Sequence, residues 1–351
     1  MQNSMQGGGE GFLKELTRAD LSVCDQAASF LQSGFWGSFK AKFGWETYAF
    51  RAVWKTEVTQ QQEKPLLVLR RRLAPGFALA YVPWGPELPV GVPFQAALEE
   101  LAKRLKKELP KDTVFIRFDP PWFLDENNKD AAMPTSFIRA EADIQPPDTV
   151  ILDLKQPMES IIEQMKPKWR YNCRLAAKKG VKVRQAEKNE IIVFYDLLKE
   201  TSKRDRISIH GFDYYKELFE NDSPEIRLYL AEHEGDILAG IVTLFRGIEA
   251  VYLYGASSDI KRNLMPTYAL QLKAIEDAKN YGCKNYDFFG IPPGKDESHS
   301  MSGLYQFKTG FGGKIIHRPG SWDYPNRYMI YRVFRIAENF RSAIKKLKKR
   351  R

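Results

Sequence analysis

Hydrophobic and polar positions along the chain predict the same series of elements twice. In the first half, the pattern predicts three strands, a helix and a strand at 47–54, 66–73, 77–81, 93–109 and 113–121. In the second half, it predicts the same series at 226–232, 237–246, 249–257, 266–281 and 285–293. Apolar residues recur at helical spacing in both helices, and two prolines close each final strand. The repetition indicates duplication of one α/β unit.

The chain length and one proline-rich stretch set the expected domain boundary. A chain of 351 residues has room for about two domains. The stretch PTSFIRAEADIQPP separates the two predicted series and precedes a strand-like run at 149–154. We therefore expect a first domain at 1–145, completed by the C-terminal segment 321–351, and a second at 146–320.

Two stretches near the start of the chain carry further expectations. Residues 17–31 have helical character, and the aromatic-rich stretch SGFWGSFKAKFGWETYAF follows. Most of these aromatic side chains are expected in the core. Lys40 alternates with them beside glycines, a composition that suits contact with a phosphate next to a ring.

One basic segment stands out in the second half. Eight basic residues lie within 19 positions with no acid among them: Lys166, Lys168, Arg170, Arg174, Lys178, Lys179, Lys182 and Arg184. Trp169 and Tyr171 are interleaved with these charges. Helical spacing places a basic ridge on one face, and Gly180 ends the predicted helix. Because repulsion among these groups costs stability, the pattern favours contact with a polyanion over an ordinary solvated helix face.

The C-terminal segment predicts an amphipathic helix. Its apolar stripe consists of Met329, Val333, Ile336, Phe340 and Ile344. From Arg327 onward there are ten basic residues and one acid, Glu338. We expect the stripe to pack on a domain and the last seven residues to contact RNA or an anionic membrane.

Composition narrows the class of protein. The net charge of +10 favours polyanionic partners. No apolar run reaches the roughly 20 residues of a membrane span, so we expect a cytoplasmic protein, with peripheral contact at the inner face of the membrane. The three cysteines are far apart, which supports neither a disulfide framework nor a zinc site.

A glycine-rich aromatic segment near residue 308 carries the candidate chemistry. The run YDFFGIPPGKDESHSMSGLYQFKTGFGG predicts a short strand, a polar loop and then aromatic residues around Lys308. Its glycines permit close approach of a ligand, and its ammonium suits a phosphate or a developing oxyanion. The alternative is a lysine on a solvated turn beside core aromatics.

Three segments together resemble the Fem family of peptidoglycan bridge-forming aminoacyltransferases. They are KPKWRYNCRLAAKKGVKV, LYGASSDIKRNLMPTYALQLKAIEDAKNYGCKNYDFFGI and GLYQFKTGFGG. The resemblance implies two tandem GNAT-like units, the first binding the precursor and the second the aminoacyl-tRNA end. It implies transfer of an amino acid from aminoacyl-tRNA to a stem-peptide amine of a UDP-linked or lipid-linked precursor. No metal or organic cofactor is implied.

The resemblance also implies roles for residues of this chain. Phe307 would position the terminal adenosine, and Lys308 would stabilise a phosphate or the oxyanion. Asp119, with Arg117 beside it, would orient or deprotonate the amine; its alternative role is to accept hydrogen bonds after a strand. The tRNA surface would be the basic helix, through Lys166, Lys168, Arg170, Arg174 and Lys178. An aminoacyl ester is already activated, so no covalent nucleophile is required.

Further positions are implied to contact the precursor. They are Lys40, Tyr214 and Tyr254. His210 stands where the family pattern would place an arginine for the diphosphate, and Arg204 or Arg206 would substitute. Two alternatives stay open: an acyl-CoA-dependent N-acyltransferase of the same fold, and a non-enzymatic protein that binds RNA or a membrane surface. Neither half has a clear R/Q-x-x-G-x-G/A loop for the pyrophosphate of CoA.

Overall fold

The chain folds into two compact units. The computed structural model describes residues 11–56, 61–124, 133–220, 225–292 and 301–349, with 341–349 as backbone only. One unit comprises 1–145 with 318–351, and the other comprises 146–317.

Both units contain strands and helices. The strands are β1 (Leu13–Ala19), β2 (Glu46–Trp54), β3 (Gln62–Ala74), β4 (Phe77–Val82), β5 (Thr113–Phe118), β6 (Ile138–Arg139), β7 (Thr149–Asp153), β8 (Lys182–Gln185), β9 (Glu225–His233), β10 (Asp236–Arg246), β11 (Glu249–Ser257), β12 (Asn285–Asp287), β13 (Lys314–Ile316) and β14 (Trp322–Pro325). The helices are α1 (Gly34–Ala41), α2 (Phe94–Glu108), α3 (Met158–Gln164), α4 (Pro167–Lys178), α5 (Ile191–Asp205), α6 (Phe212–Leu218), α7 (Pro266–Tyr281), α8 (Ser302–Thr309) and α9 (Tyr328–Lys349).

The first unit is built on a sheet of order β1-β2-β3-β4-β5-β14-β6. Strands β1 to β4 are antiparallel, and α2 then crosses over so that β5 runs parallel to β4, with Ala80 opposite Ile116. The crossover helix buries one apolar face against the sheet: Ala97, Leu98, Leu101, Ala102 and Leu105. Burial of this stripe fixes the helix on the sheet.

The second unit repeats this arrangement. Its sheet has the order β13-β7-β12-β11-β10-β9-β8, and α7 is the crossover between the parallel strands β11 and β12. Leu270, Ala274, Ile275 and Ala278 of α7 are buried. The predicted fold class, α/β with two GNAT-like units, is confirmed.

The segment 17–31 is not the helix that its sequence predicts. Strand β1 ends at Ala19, and 3₁₀ turns follow at Leu21–Gln26 and Phe30–Gln32. Strand β1 pairs with β2, where Leu16 lies opposite Ala52, and extends the sheet. Edge pairing and burial of apolar side chains outweigh the weak local preference for helix.

The apolar stripe of α9 faces outward, so the prediction that it packs on a domain is wrong for its described members. Met329, Val333, Ile336 and Phe340 are exposed. Another face of the helix carries Tyr331, which is fully buried against β5. Ile344 lies outside the residues whose side chains are described.

Candidate active site

Lys308 is buried in the last turn of α8, with its amine inside a ring of backbone oxygens. Its Nζ donates hydrogen bonds to the carbonyls of Phe288 at 2.7 Å, Phe289 at 3.1 Å and Gly290 at 2.8 Å. The Nζ also lies 5.1 Å from the centre of the Tyr252 ring. A lysine on a solvated turn, the alternative from the sequence, is therefore excluded.

Burial lowers the pKa of Lys308 to about 7, and the nearby Asp287 carboxylate acts in the opposite direction. The three carbonyls match the three hydrogens of an ammonium group. A neutral amine has two hydrogens and one lone pair, so it would leave one carbonyl without its donor. The carbonyls therefore favour the ammonium form of Lys308, whereas burial favours the neutral amine.

The ring of carbonyls depends on an unusual backbone turn after β12. Phe289 has a φ of 54°, in the left-handed region, which costs about 1 kcal/mol or more for a residue with a Cβ. Asp287 holds this turn because its Oδ1 accepts the Phe289 N–H at 2.7 Å and the hydroxyl hydrogen of Thr149. At Gly290 a Cβ would lie 2.3 Å from a Pro146 ring carbon, so the position requires glycine.

Phe307 is half-buried among aromatic side chains. Its ring makes edge contacts with Tyr268 and Phe311, each at 5.2 Å between ring centres. Its backbone oxygen accepts a hydrogen bond from Trp169 Nε1 at 2.8 Å. The residue as a whole remains partly exposed.

The basic helix α4 begins beside the end of α8. The Lys166 N–H donates to the Gly310 carbonyl at 2.9 Å. Trp169 packs so closely over Gly310 that a Cβ there would lie 2.0 Å from the indole. The Lys166 ammonium lies 5.6 Å from the centre of the same indole. The sequence suggested each segment separately, but not this junction.

Four of the five predicted tRNA-binding side chains on this segment are exposed. They are Lys166, Lys168, Arg174 and Lys178. Arg170 is instead half-buried and donates to the carbonyls of Glu163 at 2.8 Å and of Met165, which end α3. Because these bonds satisfy carbonyls at the C-terminus of α3, Arg170 has a structural role. Tyr171 is 62% exposed among the charges, so its ring is available to stack.

Asp119 lies in the first unit at the end of β5. Its carboxylate accepts hydrogen bonds from the Gln145 N–H at 3.2 Å and from the hydroxyls of Tyr81 and Ser321. Burial raises its pKa to about 6, against the lowering effect of these three donors. The contacts match the alternative role from the sequence, an acceptor of hydrogen bonds after a strand.

Arg117 is buried in an ion pair within the same unit. Its Nε and Nη2 donate to the two carboxylate oxygens of Asp323 in β14, at 2.6 and 2.8 Å. The Tyr331 hydroxyl donates to the same carboxylate at 2.9 Å. The predicted substrate contact by Arg117 is not supported by this placement, because the buried Asp323 uses its charge.

Three predicted precursor-binding residues meet in one aromatic cluster of the second unit. His210 stacks on Tyr214 with ring centres 3.8 Å apart, and the side chains of Tyr214 and Tyr254 share a hydrogen bond. Burial raises the pKa of Tyr214 to about 12. The hydroxyl of Tyr214 therefore stays neutral near pH 7, and His210 is the exposed member of the cluster.

The two arginines predicted to replace a family arginine differ in their surroundings. Arg204 donates to Asp205 and Asp259, each at 3.0 Å, so its charge is already balanced. Arg206 ends α5 with a φ of 53° and is exposed. Of the two, Arg206 is better placed to bind a diphosphate.

Lys40 lies near an indole ring that also meets an arginine, which the sequence did not suggest. Its ammonium lies 5.4 Å from the centre of the Trp36 ring and 5.8 Å from that of Trp45, and the Arg71 guanidinium lies 5.6 Å from the latter. Burial and then Arg71 lower the pKa of Lys40 to about 8. A bound anion would relieve this repulsion, which suits a phosphate site. The position of Arg71 near Trp45 results from the pairing of β3 with β2, and the sequence alone gives no signal of that pairing.

Within the described ranges, no three or more His, Cys, Asp and Glu side chains are arranged to hold a metal ion.

Comparisons with known proteins identify the family of the chain. A lipid II:glycine glycyltransferase of Staphylococcus epidermidis is 22% identical over 253 residues, covering 54% of this chain and 61% of that protein. The chain therefore spans less than two thirds of that relative. A protein of the same name from Staphylococcus haemolyticus is 23% identical over 316 residues, covering 68% of this chain and 75% of that protein.

A solved structure and a family model extend the match. The crystal structure of FemX has a TM-score of 0.75 at 20% identity, covering 91% of this chain and 99% of that one. The model of the FemAB family matches residues 22–138, 134–236 and 230–339. Because these three segments together include most of the chain, the protein belongs to the FemAB family.

Proposed function

We propose that the protein is an aminoacyltransferase that moves an amino acid from aminoacyl-tRNA to a stem-peptide amine of a peptidoglycan precursor. The observation that carries this proposal is the junction of α4 with α8. A polyanion along the exposed charges of α4 would reach its end beside Phe307 and Lys308, because the Lys166 N–H is bonded to Gly310 at the end of α8. Membership of the FemAB family supports it.

The transfer needs alignment and proton movement but no covalent enzyme intermediate. The amine nitrogen attacks the ester carbonyl, a C–N bond forms, and the carbonyl oxygen becomes an oxyanion. The Lys308 amine accepts the proton that the attacking nitrogen loses, and the resulting ammonium stabilises the oxyanion. Collapse breaks the bond to the ribose oxygen, which takes that proton as it leaves.

Lys308 suits this role better than Asp119. A pKa of about 7 allows Lys308 to exist in both protonation states at neutral pH. Its bond to the Phe289 carbonyl, at 3.1 Å, is the longest of the three and the easiest to exchange for a ligand. Asp119 instead accepts hydrogen bonds from three donors within the first unit.

Two groups of residues would bind the precursor. Lys40 and Arg71 of the first unit would bind a phosphate against Trp45. In the second unit, the cluster of Tyr214 and Tyr254 would contact the precursor, and Arg206 would replace the missing family arginine.

Relatives suggest which donor and acceptor to test first. Two of them are named lipid II:glycine glycyltransferase, so we propose glycine as the first amino acid and the lipid-linked precursor as the first acceptor. The UDP-linked precursor is the comparison.

Acyl-CoA is less well supported as the donor than aminoacyl-tRNA. The turn between β11 and α7 would be the place for a CoA pyrophosphate, but α7 begins with Pro266, which has no N–H to donate. Lys261 in the same turn is engaged with Glu234 at 3.1 Å and Asp236 at 2.9 Å. A melting-temperature shift with acetyl-CoA, but none with charged tRNA, would favour that donor.

Mass spectrometry tests the proposal. The folded protein is incubated with a mixture of aminoacyl-tRNAs and each precursor form, and the precursor should gain the mass of one amino acid residue. Lys308→Met should abolish most of this product, whereas Lys314→Met, which changes an exposed lysine of the same unit, should not. The absence of product with every donor and acceptor would remove the aminoacyltransferase assignment.

A further inference from the structure

The C-terminal helix α9 has one face fixed to the first unit. Tyr331 is fully buried, and its ring lies 5.2 Å from that of Phe115. Phe334 packs on Phe115 at 5.0 Å and on Phe77 at 5.5 Å between ring centres. These contacts determine which residues of the helix point away from the protein.

The opposite face exposes a continuous apolar stripe. The exposed fractions are 71% for Met329, 68% for Val333, 68% for Ile336 and 69% for Phe340. Single exposed apolar side chains are ordinary, but four at spacings of four, three and four residues form one patch along a helix.

The charges beside this patch are positive. Arg332, one position before Val333, is exposed. The single acid of the helix, Glu338, is 23% exposed and has its Oε1 3.7 Å from Arg117 Nη2 in the first unit. Beyond Phe340 the helical backbone continues to Lys349, and the sequence there contains Arg341, Lys345, Lys346, Lys348 and Lys349.

An apolar stripe beside positive charges can be compared with three binding partners: nucleic acid, a second copy of the chain and a lipid surface. Nucleic acid would use the positive charges but gains little from a stripe of aliphatic and phenyl groups. A second copy of the chain would bring two such positive helices together, where they repel. No helix within the described ranges is long and apolar enough to span a bilayer. A surface of anionic lipid satisfies both the charges and the stripe.

We propose that α9 lies in the plane of an anionic membrane surface, with Met329, Val333, Ile336 and Phe340 inserted among the lipids. The basic residues of the helix contact the lipid headgroups, and the buried face keeps the first unit attached to the membrane. The interaction goes beyond the proposed reaction, because it requires neither tRNA nor precursor.

Vesicle flotation with the full chain tests the proposal. The wild type should bind vesicles of phosphatidylcholine with phosphatidylglycerol more tightly than vesicles of phosphatidylcholine alone. Combined Ile336→Ser and Phe340→Ser substitutions should weaken that binding at least about tenfold. The melting temperature should be unchanged, because both side chains are exposed. Ile248→Ser, which changes a 54% exposed isoleucine of the other unit, is the matched control and should bind as the wild type does.

Three results would overturn the proposal. The wild type could fail to bind the anionic vesicles, or the double variant could bind them as well as the wild type. Sedimentation could show a dimer that the double substitution separates, which would make a second copy the occupant. Transfer to the UDP-linked precursor should proceed equally in the double variant and the wild type. A loss of vesicle binding is therefore distinguishable from a failure of the proposed reaction.

Discussion

Replacing Lys308 by methionine tests whether its buried amine titrates near neutral pH. The substitution removes the amine but keeps an unbranched side chain. Burial lowers the pKa from its usual 10.5 to about 7 in the folded protein. Between these two values the unfolded chain binds more protons at this position than the folded protein. The free energy of unfolding of the wild type should therefore rise with pH, relative to that of the variant.

The expected size of this change in the free energy of unfolding follows from the pKa of Lys308. Each pH unit above about 7 contributes about 1.4 kcal/mol to the difference in free energy of unfolding. From about pH 6 to pH 9 the wild type should gain about 2–3 kcal/mol relative to Lys308→Met. Below about pH 7 the difference should level off, because the amine is then charged in both the folded and the unfolded states.

Urea unfolding at a series of pH values measures this difference. Lys314→Met, which removes an exposed lysine, is the control and should follow the wild type at every pH. A constant difference between wild type and Lys308→Met up to pH 9 would refute the reasoning. It would mean that the three carbonyls keep the amine charged, so that Lys308 acts by charge and accepts no proton.

Three other substitutions test neighbouring parts of the account. Arg117→Leu should destabilise the first unit by about 3–5 kcal/mol in urea unfolding, because it leaves Asp323 buried and unpaired, and added Asp323→Leu should recover most of the loss. Arg71→Gln should raise the pKa of Lys40, measured by NMR titration, and raise the KM for the precursor about three- to tenfold. Gly310→Ala should displace Trp169, destabilise the second unit by about 1–3 kcal/mol and raise the KM for tRNA. Gly303→Ala, where a Cβ meets no atom within 4 Å, is the control and should have none of these effects.

The series of three strands, a helix and a strand in each unit could be predicted from the sequence because it depends on local patterns. Alternation of apolar residues and helical stripes are visible over ten or so positions, and both crossover helices lie where their stripes predict. The segment 17–31 could not be predicted in the same way. Residues 17–19 belong to strand β1, which forms by pairing with the edge of β2. That pairing is a tertiary contact and not a local pattern.

The candidate site could be predicted only in part. The glycine, aromatic and lysine run drew attention to Lys308, but its surroundings come from a left-handed Phe289 some twenty positions earlier. Arg117 stands two positions from Asp119 in the chain, yet its partner is Asp323, 206 residues away. Long-range pairs of this kind leave no local pattern.

A titration of transfer rate against aminoacyl-tRNA tests whether tRNA binds along α4 and reacts at Lys308. Lys308→Met should lower kcat about 100-fold or more with little change in the KM for tRNA. The combined Lys168→Ser, Arg174→Ser and Lys178→Ser variant should raise that KM about tenfold with kcat nearly retained. An unchanged KM in the α4 variant, or a normal kcat in Lys308→Met, would contradict the account.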